Sequence, residues 1–243
     1  MRKPKTIIYG IILLFVGFFL ASSCASYILN KNNLLSENDI LFKKLPSQNK
    51  TVYFLGLRHL GLEAYYKNLS TKIDSLNAAE FNFILERKSN KKDLLQTQKD
   101  TIAFKKFRKI MSFSFADKAV QNKIKSLLDK YELVIQPDYN DMNVSPNSSK
   151  HVDLSLSEMI QAYEDEQGII ELYECDNETD INSDYDCDKM PRKERNYFFN
   201  EIVLNSRNQL IVDAINNSKH DKILVLYGEK HFEGISEILE KQK

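Results

Sequence analysis

Histidine is scarce in this chain, with four residues among 243, and tryptophan is absent altogether. The absence of Trp accompanies an abundance of Lys, Asn and Ile, a compositional bias that carries no chemistry. Net charge is lacking too, since 34 basic side chains balance 34 acidic ones. Arg2, Lys3 and Lys5 fall within the first 23 residues, which hold no acid, so the remainder has 31 basic and 34 acidic groups, about −3 in all. That balance offers no basic face for phosphates and argues against nucleic acid as a partner. No phosphate-binding Gly-rich loop and no Gly-x-Ser-x-Gly elbow is present, so neither motif points to a P-loop enzyme or a serine hydrolase.

Long apolar runs are also missing. The longest, Ile7 to Leu20, has about 14 residues, short of the ~20 that span a bilayer as a helix. It follows the basic Met1-Arg2-Lys3-Pro4-Lys5 and precedes Ala21-Ser22-Ser23-Cys24-Ala25-Ser26, the build of a secretory signal. Small residues directly before a cysteine are similar to a bacterial lipobox, with Cys24 as the lipidated first residue of the mature chain. An uncleaved anchor and plain secretion are the alternatives. All three put the globular part outside the cytoplasm, in a bacterial cell envelope for the first two. Cys175 and Cys187, twelve apart in one acidic loop, are permitted a disulfide in such an oxidising compartment; two free thiols are the alternative.

Residues 1–23 thus form a signal peptide or membrane anchor, 24–50 a polar tether, and 51–243 a folded domain. The content of 42% hydrophobic and 11% aromatic residues can supply its core. Strands are expected at 51–55, 81–85, 133–135 and 222–227, with helices over 61–76, 91–110, 116–131, from Ser155 through Tyr163, 192–217 and from 232. Ser155 and Glu158 have capping-box spacing. The alternation predicts an α/β fold, a single domain with a central mostly parallel or mixed sheet flanked by helices on both faces. Residues 164–188 hold eleven acidic side chains and no basic one. Asp176, Glu178, Asp180, Asn182 and Asp184 alternate as in a calcium loop. Ile181 and Cys187, however, stand where Gly and a bidentate Glu are needed, so a solvated acidic loop is expected.

Two of the four histidines share a setting. Gly56-Leu57-Arg58-His59 and Gly228-Glu229-Lys230-His231 each follow a β-prone run, and each is followed by a second glycine (Gly61, Gly234) and a helical pattern. Strand ends are where an α/β sheet presents side chains to a ligand. Two imidazoles and a carboxylate make a familiar three-ligand metal set, and Glu86, ending the second predicted strand, is the natural third member. Glu86 could equally act as a base toward water. A hydrogen-bonded structural role is the plain alternative for each histidine alone. Arg58 and Lys230 add positive charge beside them, which opposes histidine protonation and either disfavours a metal or favours an anionic ligand.

The stretch Val52 to Gly61 with Tyr65-Tyr66, and the stretch Ile223 to Gly234, resemble the opening and closing motifs of the TraB/GumN/Tiki superfamily. Glu86 matches that family's strand-end Glu. The family's Arg-Asn pair before the last strand is matched by Arg207-Asn208, with Arg195-Asn196 in reserve. His151-Val152-Asp153-Leu154-Ser155 is similar to an element of related envelope proteins and nominates Asp153. The chain departs from the pattern at Leu57, where Thr is common, and at Arg87, where Gly often follows the Glu.

The resemblance implies a divalent-metal-dependent hydrolase of peptidase or esterase type. His59, His231 and Glu86 would hold a zinc, manganese or cobalt ion. Glu86 or Asp153 would serve as base, Arg207 would meet an oxyanion or a substrate carboxylate, and Asn208 would bond substrate or a neighbouring loop. It equally implies a non-catalytic envelope lipoprotein that binds haem, iron or a peptide in the same cleft. The partners are then the membrane and a peptide or small molecule.

Overall fold

The computed structural model describes residues 29, 33–87, 96–113 and 117–242. The signal or anchor segment, Cys24 and most of 24–32 lie outside the described residues. The chain folds as two compact units. One, the sheet unit, contains described residues 33–87, 125–153 and 199–242. The other, the helical unit, contains 96–113, 117–124 and 154–198.

The sheet unit is built on five strands: β1 (Phe42–Lys44), β2 (Thr51–Leu57), β4 (Asn82–Leu85), β6 (Ser149–His151) and β7 (Lys222–Gly228). Their order is β1-β2-β7-β4-β6. β2, β7, β4 and β6 run parallel, and β1 lies antiparallel on β2. A separate pair, β3 (Leu60–Leu62) and β5 (Leu133–Ile135), is antiparallel.

The central strands read as continuous apolar runs because both their faces are covered. Leu55, Leu57, Phe83, Leu85, Leu224 and Leu226 pack on one side with Tyr65, Leu69 and Ile73 of α1 (Glu63–Ala78). Val52, Phe54, Ile84, Ile223, Val225 and Tyr227 face the other way. They meet Ile211, Val212 and Ile215 of α7 (Arg207–Asn217), and Ile235 and Leu239 of α8 (His231–Lys241). The mixed α/β sheet with helices on both faces is therefore the architecture.

The helical unit contains α2 (Gln98–Met111), α4 (Leu156–Gln167), the short α5 (Glu174–Glu178) and α6 (Arg192–Tyr197); α3 (Lys118–Tyr131) begins in it. Thr97 with Asp100, and Ser155 with Glu158, close reciprocal capping boxes on α2 and α4. Phe107, Tyr163 and Phe198 form its aromatic centre.

Three differences from the sequence reading have clear causes. β1 arises inside the segment read as tether, and β6 (Ser149–His151) where no strand was expected. Both are three-residue strands at the outer positions of the sheet, where backbone pairing suffices and no apolar run marks them. The helix expected over 192–217 is interrupted by a π-helical stretch, Phe198–Ser206, which ends directly at Arg207. The acidic loop is not simply solvated. Asp176 is 1% exposed and forms a 2.5 Å ion pair with Lys109. The Tyr185 hydroxyl donates to it at 2.6 Å. Cys175 and Cys187 form a disulfide across this loop.

Candidate functional site

Because β2, β7 and β4 are parallel, their carboxyl ends share one edge of the sheet. Register sets Leu57 opposite Gly228, and Leu85 opposite Leu226. His59 follows β2, Glu86 follows β4, and His231 opens α8 just past β7. The three groups surround Gly228. A Cβ built at Gly228 would lie 3.5 Å from Glu86 Oε2, 3.8 Å from His231 Cδ2 and 4.0 Å from His59 Nε2. The two Gly-x-x-His strings are thus halves of one site, and Glu86 is its third member.

A buried arginine organises the floor. Arg207 Nε and Nη2 donate to the two oxygens of Asp153 at 2.6 and 2.9 Å. Nη2 also donates to Glu86 Oε1 at 2.6 Å, and Nη1 stands 3.3 Å from His231 Nε2. Glu86 Oε2 accepts from the Gly228 N–H at 2.9 Å. Asp153 accepts a further bond from the Arg87 N–H at 3.0 Å. The π-helical turn before Arg207 is the local feature that delivers this side chain, and such bulges recur at functional sites. Arg195, the reserve candidate, lies on α6 in the helical unit, whereas Arg207 lies against Glu86 and Asp153.

His231 is almost fully enclosed, 1% exposed. Its Nδ1 lies 2.7 Å from Asn208 Oδ1, an atom that only accepts, so Nδ1 carries the proton and Nε2 presents a lone pair to Arg207. Burial, reinforced by the Arg207 charge, lowers the His231 pKa to about 3. It is a neutral imidazole at physiological pH. Burial pushes the Glu86 carboxyl upward, but Arg207 and then the neighbouring imidazoles outweigh that and hold it well below the usual carboxylate range. Glu86 is therefore a fixed anion and a poor proton acceptor near neutrality.

His59 is the one member of this group that is partly exposed. It is held twice by Gln136, the residue after β5. The Gln136 N–H donates to the His59 carbonyl at 2.9 Å, and His59 Nδ1 lies 3.1 Å from Gln136 Oε1. An acceptor at Nδ1 selects the tautomer with its lone pair on Nε2, the atom nearest Gly228. Sequence reasoning did not find Gln136. A polar residue directly after the buried strand β5 was the only available signal.

Arg207, Asn208 and Asp153, the residues expected at substrate, form a layer behind Glu86 and His231. All three are buried, at 1%, 2% and 7% exposure, with their polar atoms engaged on one another and on His231 and Glu86. Gly234 is required by the same layer, since a Cβ there would fall 2.2 Å from Asn208 Nδ2.

Arg58 does not face the site either. It is buried, ion-paired to Glu229 at 3.0 Å, and stacked 4.4 Å over the Tyr65 ring. The motifs are therefore riveted to each other: Arg58 of the first holds Glu229 of the second, whose N–H donates to the Leu57 carbonyl at 3.2 Å.

The fit of a divalent ion can be judged from these donors. His231 turns a ring carbon to the cradle and commits both nitrogens elsewhere, while Arg207 and Gly228 occupy the Glu86 oxygens. Among the described residues, no three His, Cys, Asp or Glu side chains are grouped to hold a metal ion. As arranged, the set does not fit a three-ligand metal centre. Comparison with protein-family models, with curated proteins and with solved structures finds no match.

Proposed function

We propose that the chain is an envelope-attached hydrolase of TraB/GumN/Tiki type that cleaves a peptide or ester bond at the carboxyl edge of its sheet. The observation that carries this reading is the convergence of His59 Nε2 and Glu86 Oε2 on the cradle at Gly228. A water seated there has two acceptors of different character. His59 takes its proton as the water oxygen attacks the carbonyl carbon, and returns that proton to the departing amine or alkoxide when the C–N or C–O bond of the tetrahedral intermediate breaks. Glu86, kept anionic by Arg207, orients that water and stabilises the imidazolium as it forms. Arg207, Asp153, Asn208 and His231 keep Glu86 in place and charged.

Envelope attachment is supported by the basic, apolar and small-residue sequence ending at Cys24. Among the described residues, no helix is long and apolar enough to cross a membrane.

A panel of ester and peptide substrates tests the reading, with His59→Ala as the control. Loss of general base catalysis should lower kcat by about 10²–10⁴-fold, and dialysis against EDTA should leave the wild type unchanged. Activity that survives His59→Ala, or that vanishes with EDTA and returns with manganese, cobalt or zinc, overturns this mechanism. The second outcome would restore the metal-dependent alternative, which requires Arg207 to leave Glu86 and the His231 ring to turn.

A non-catalytic reading has one observation in its favour: a partly exposed imidazole with its Nδ1 proton held by Gln136, so that the lone pair on His59 Nε2 would hold a haem or iron ion. A haem absorption band that forms on titration and is lost in His59→Ala, with no hydrolysis on the panel, would select it.

A further inference from the structure

The route by which the chain enters the sheet unit bears on what the site meets. β1 is antiparallel to β2, with Phe42 opposite Leu55 and Lys44 opposite Tyr53. Residues before Phe42 therefore run out past the carboxyl end of β2, the same edge that carries His59, Glu86 and His231. The Gly56 N–H donates to the Leu41 carbonyl at 2.8 Å, continuing the pairing to that edge.

Beyond it, Arg58 clamps the incoming chain. Its guanidinium donates to the main-chain carbonyls of Asn33 at 2.7 Å and Ser36 at 3.1 Å, and also to that of Asp39. Asn68 of α1 donates to the Glu37 carbonyl at 3.1 Å. A buried arginine spent on three carbonyls of one segment is a fastening that holds the incoming chain at this edge.

Nine residue steps separate Asn33 from Cys24, which at ~3.5 Å each reach ~32 Å at most. The seven residues of β7 set the opposite edge of the sheet ~20 Å farther away. We infer that the carboxyl edge of the sheet, with the His59 site on it, is turned toward the lipid surface to which the chain is attached, so that the site works on material held at a headgroup layer. This rests on the reading of Cys24 as a membrane attachment. Exposed Arg87 and Lys230, just past the ends of β4 and β7, favour an anionic headgroup surface. Glu63 and Glu233, exposed in the first turns of α1 and α8, reduce that attraction, so the fastening and the short tether carry the orientation.

The test uses the full chain, expressed with its own N-terminus and reconstituted into vesicles of zwitterionic and anionic phospholipid containing a nitroxide-headgroup lipid. A fluorescent non-natural residue replaces Lys230 at the site edge or Lys219 at the opposite edge. Emission should be lost at 230 and retained at 219, and a long Gly-Ser insertion after Ser26 should restore emission at 230. Equal quenching at both positions, or stronger quenching at 219, overturns the inference while leaving the hydrolase reading intact. Failure of the protein to float with vesicles removes the attachment itself, an outcome also independent of any hydrolysis measured in solution.

Discussion

Each unit of this protein buries a cation against carboxylate, but the two do it with different means. In the sheet unit, Arg207 is shared between Asp153 and Glu86 and reaches His231, so groups from the ends of β4, β6 and β7 and the start of α7 meet at one point. In the helical unit, Lys109 of α2 holds Asp176, Tyr185 completes the carboxylate, and the Cys175–Cys187 disulfide closes the loop that supplies both acceptor and hydroxyl. The first cluster stands on the rigid edge of a parallel sheet and is crowned by a partly exposed imidazole. The second is a staple for a loop with little apolar content of its own. A buried ion pair thus says little by itself; the elements that deliver it decide whether it underlies a site or only holds a segment down.

Removing the arginine is the harshest way to break the comparison. Arg207→Met strands two buried carboxylates, and loss of one partner from such a network costs about 3–5 kcal/mol. Urea denaturation should show a correspondingly lower midpoint; a shift of only a few tenths of a molar would mean that the cluster contributes little to stability.

Acid should separate the units next. Folding lowers the His231 pKa from its ordinary 6.5 to about 3, so its contribution is complete above pH 6.5 and is lost as pH falls toward 3. Each unit of such a shift corresponds to about 1.4 kcal/mol at most. Glu86, also depressed, adds its loss below its ordinary 4.5. In the helical unit, burial would raise the Asp176 pKa, but its bonds from Lys109 and Tyr185 lower it below 3.8. Hydrogen exchange at pH 5 should therefore show the sheet unit loosening first. His231→Phe should remove most of that pH dependence above pH 5, and identical acid profiles for the two units would contradict the assignment.

The disulfide closes a separation of twelve residues, a loop for which chain entropy gives about 3 kcal/mol. Cys175→Ser with Cys187→Ser should reduce amide protection in the helical unit and spare β2 and β7. Equal loss in both units would show that they unfold together.

Two glycines give a finer contrast within the site. Gly234→Ala drives a methyl into Asn208 and should cost about 1–3 kcal/mol by overpacking, whereas Gly228→Ala meets only ordinary contacts. The second variant should stay folded yet lose hydrolysis by filling the cradle. Full activity in Gly228→Ala would place the chemistry elsewhere.

Smallest in stability is Gln136→Leu, about 1 kcal/mol for a lost hydrogen bond. Nitrogen NMR of the neutral imidazole should show the His59 tautomers redistributing, with Gln136→Glu retaining the native one. An unchanged tautomer in Gln136→Leu would end the positioning role.

The parts legible in the sequence were those with a strong local signature. Ile223 to Tyr227 had to be a doubly buried strand, Ser155 and Glu158 had to cap a helix, and His59, Glu86 and His231 each stood at a strand end. The unread parts depend on distant partners. Lys43 and Lys44 become strand only because β2 offers a free edge. Asp176 looks like any other acid of its loop until Lys109 arrives from α2.

By itself, then, the sequence determined which edge of the sheet would gather His59, Glu86 and His231, because apolar periodicity and the glycines at strand ends are local properties. Only the tertiary structure decided what each side chain does there. The direction of the His231 ring, the burial of Arg207 beneath the site and the turning of Arg58 toward the tether are set by partners 19 to 121 residues away. No local pattern encodes such long-range pairing.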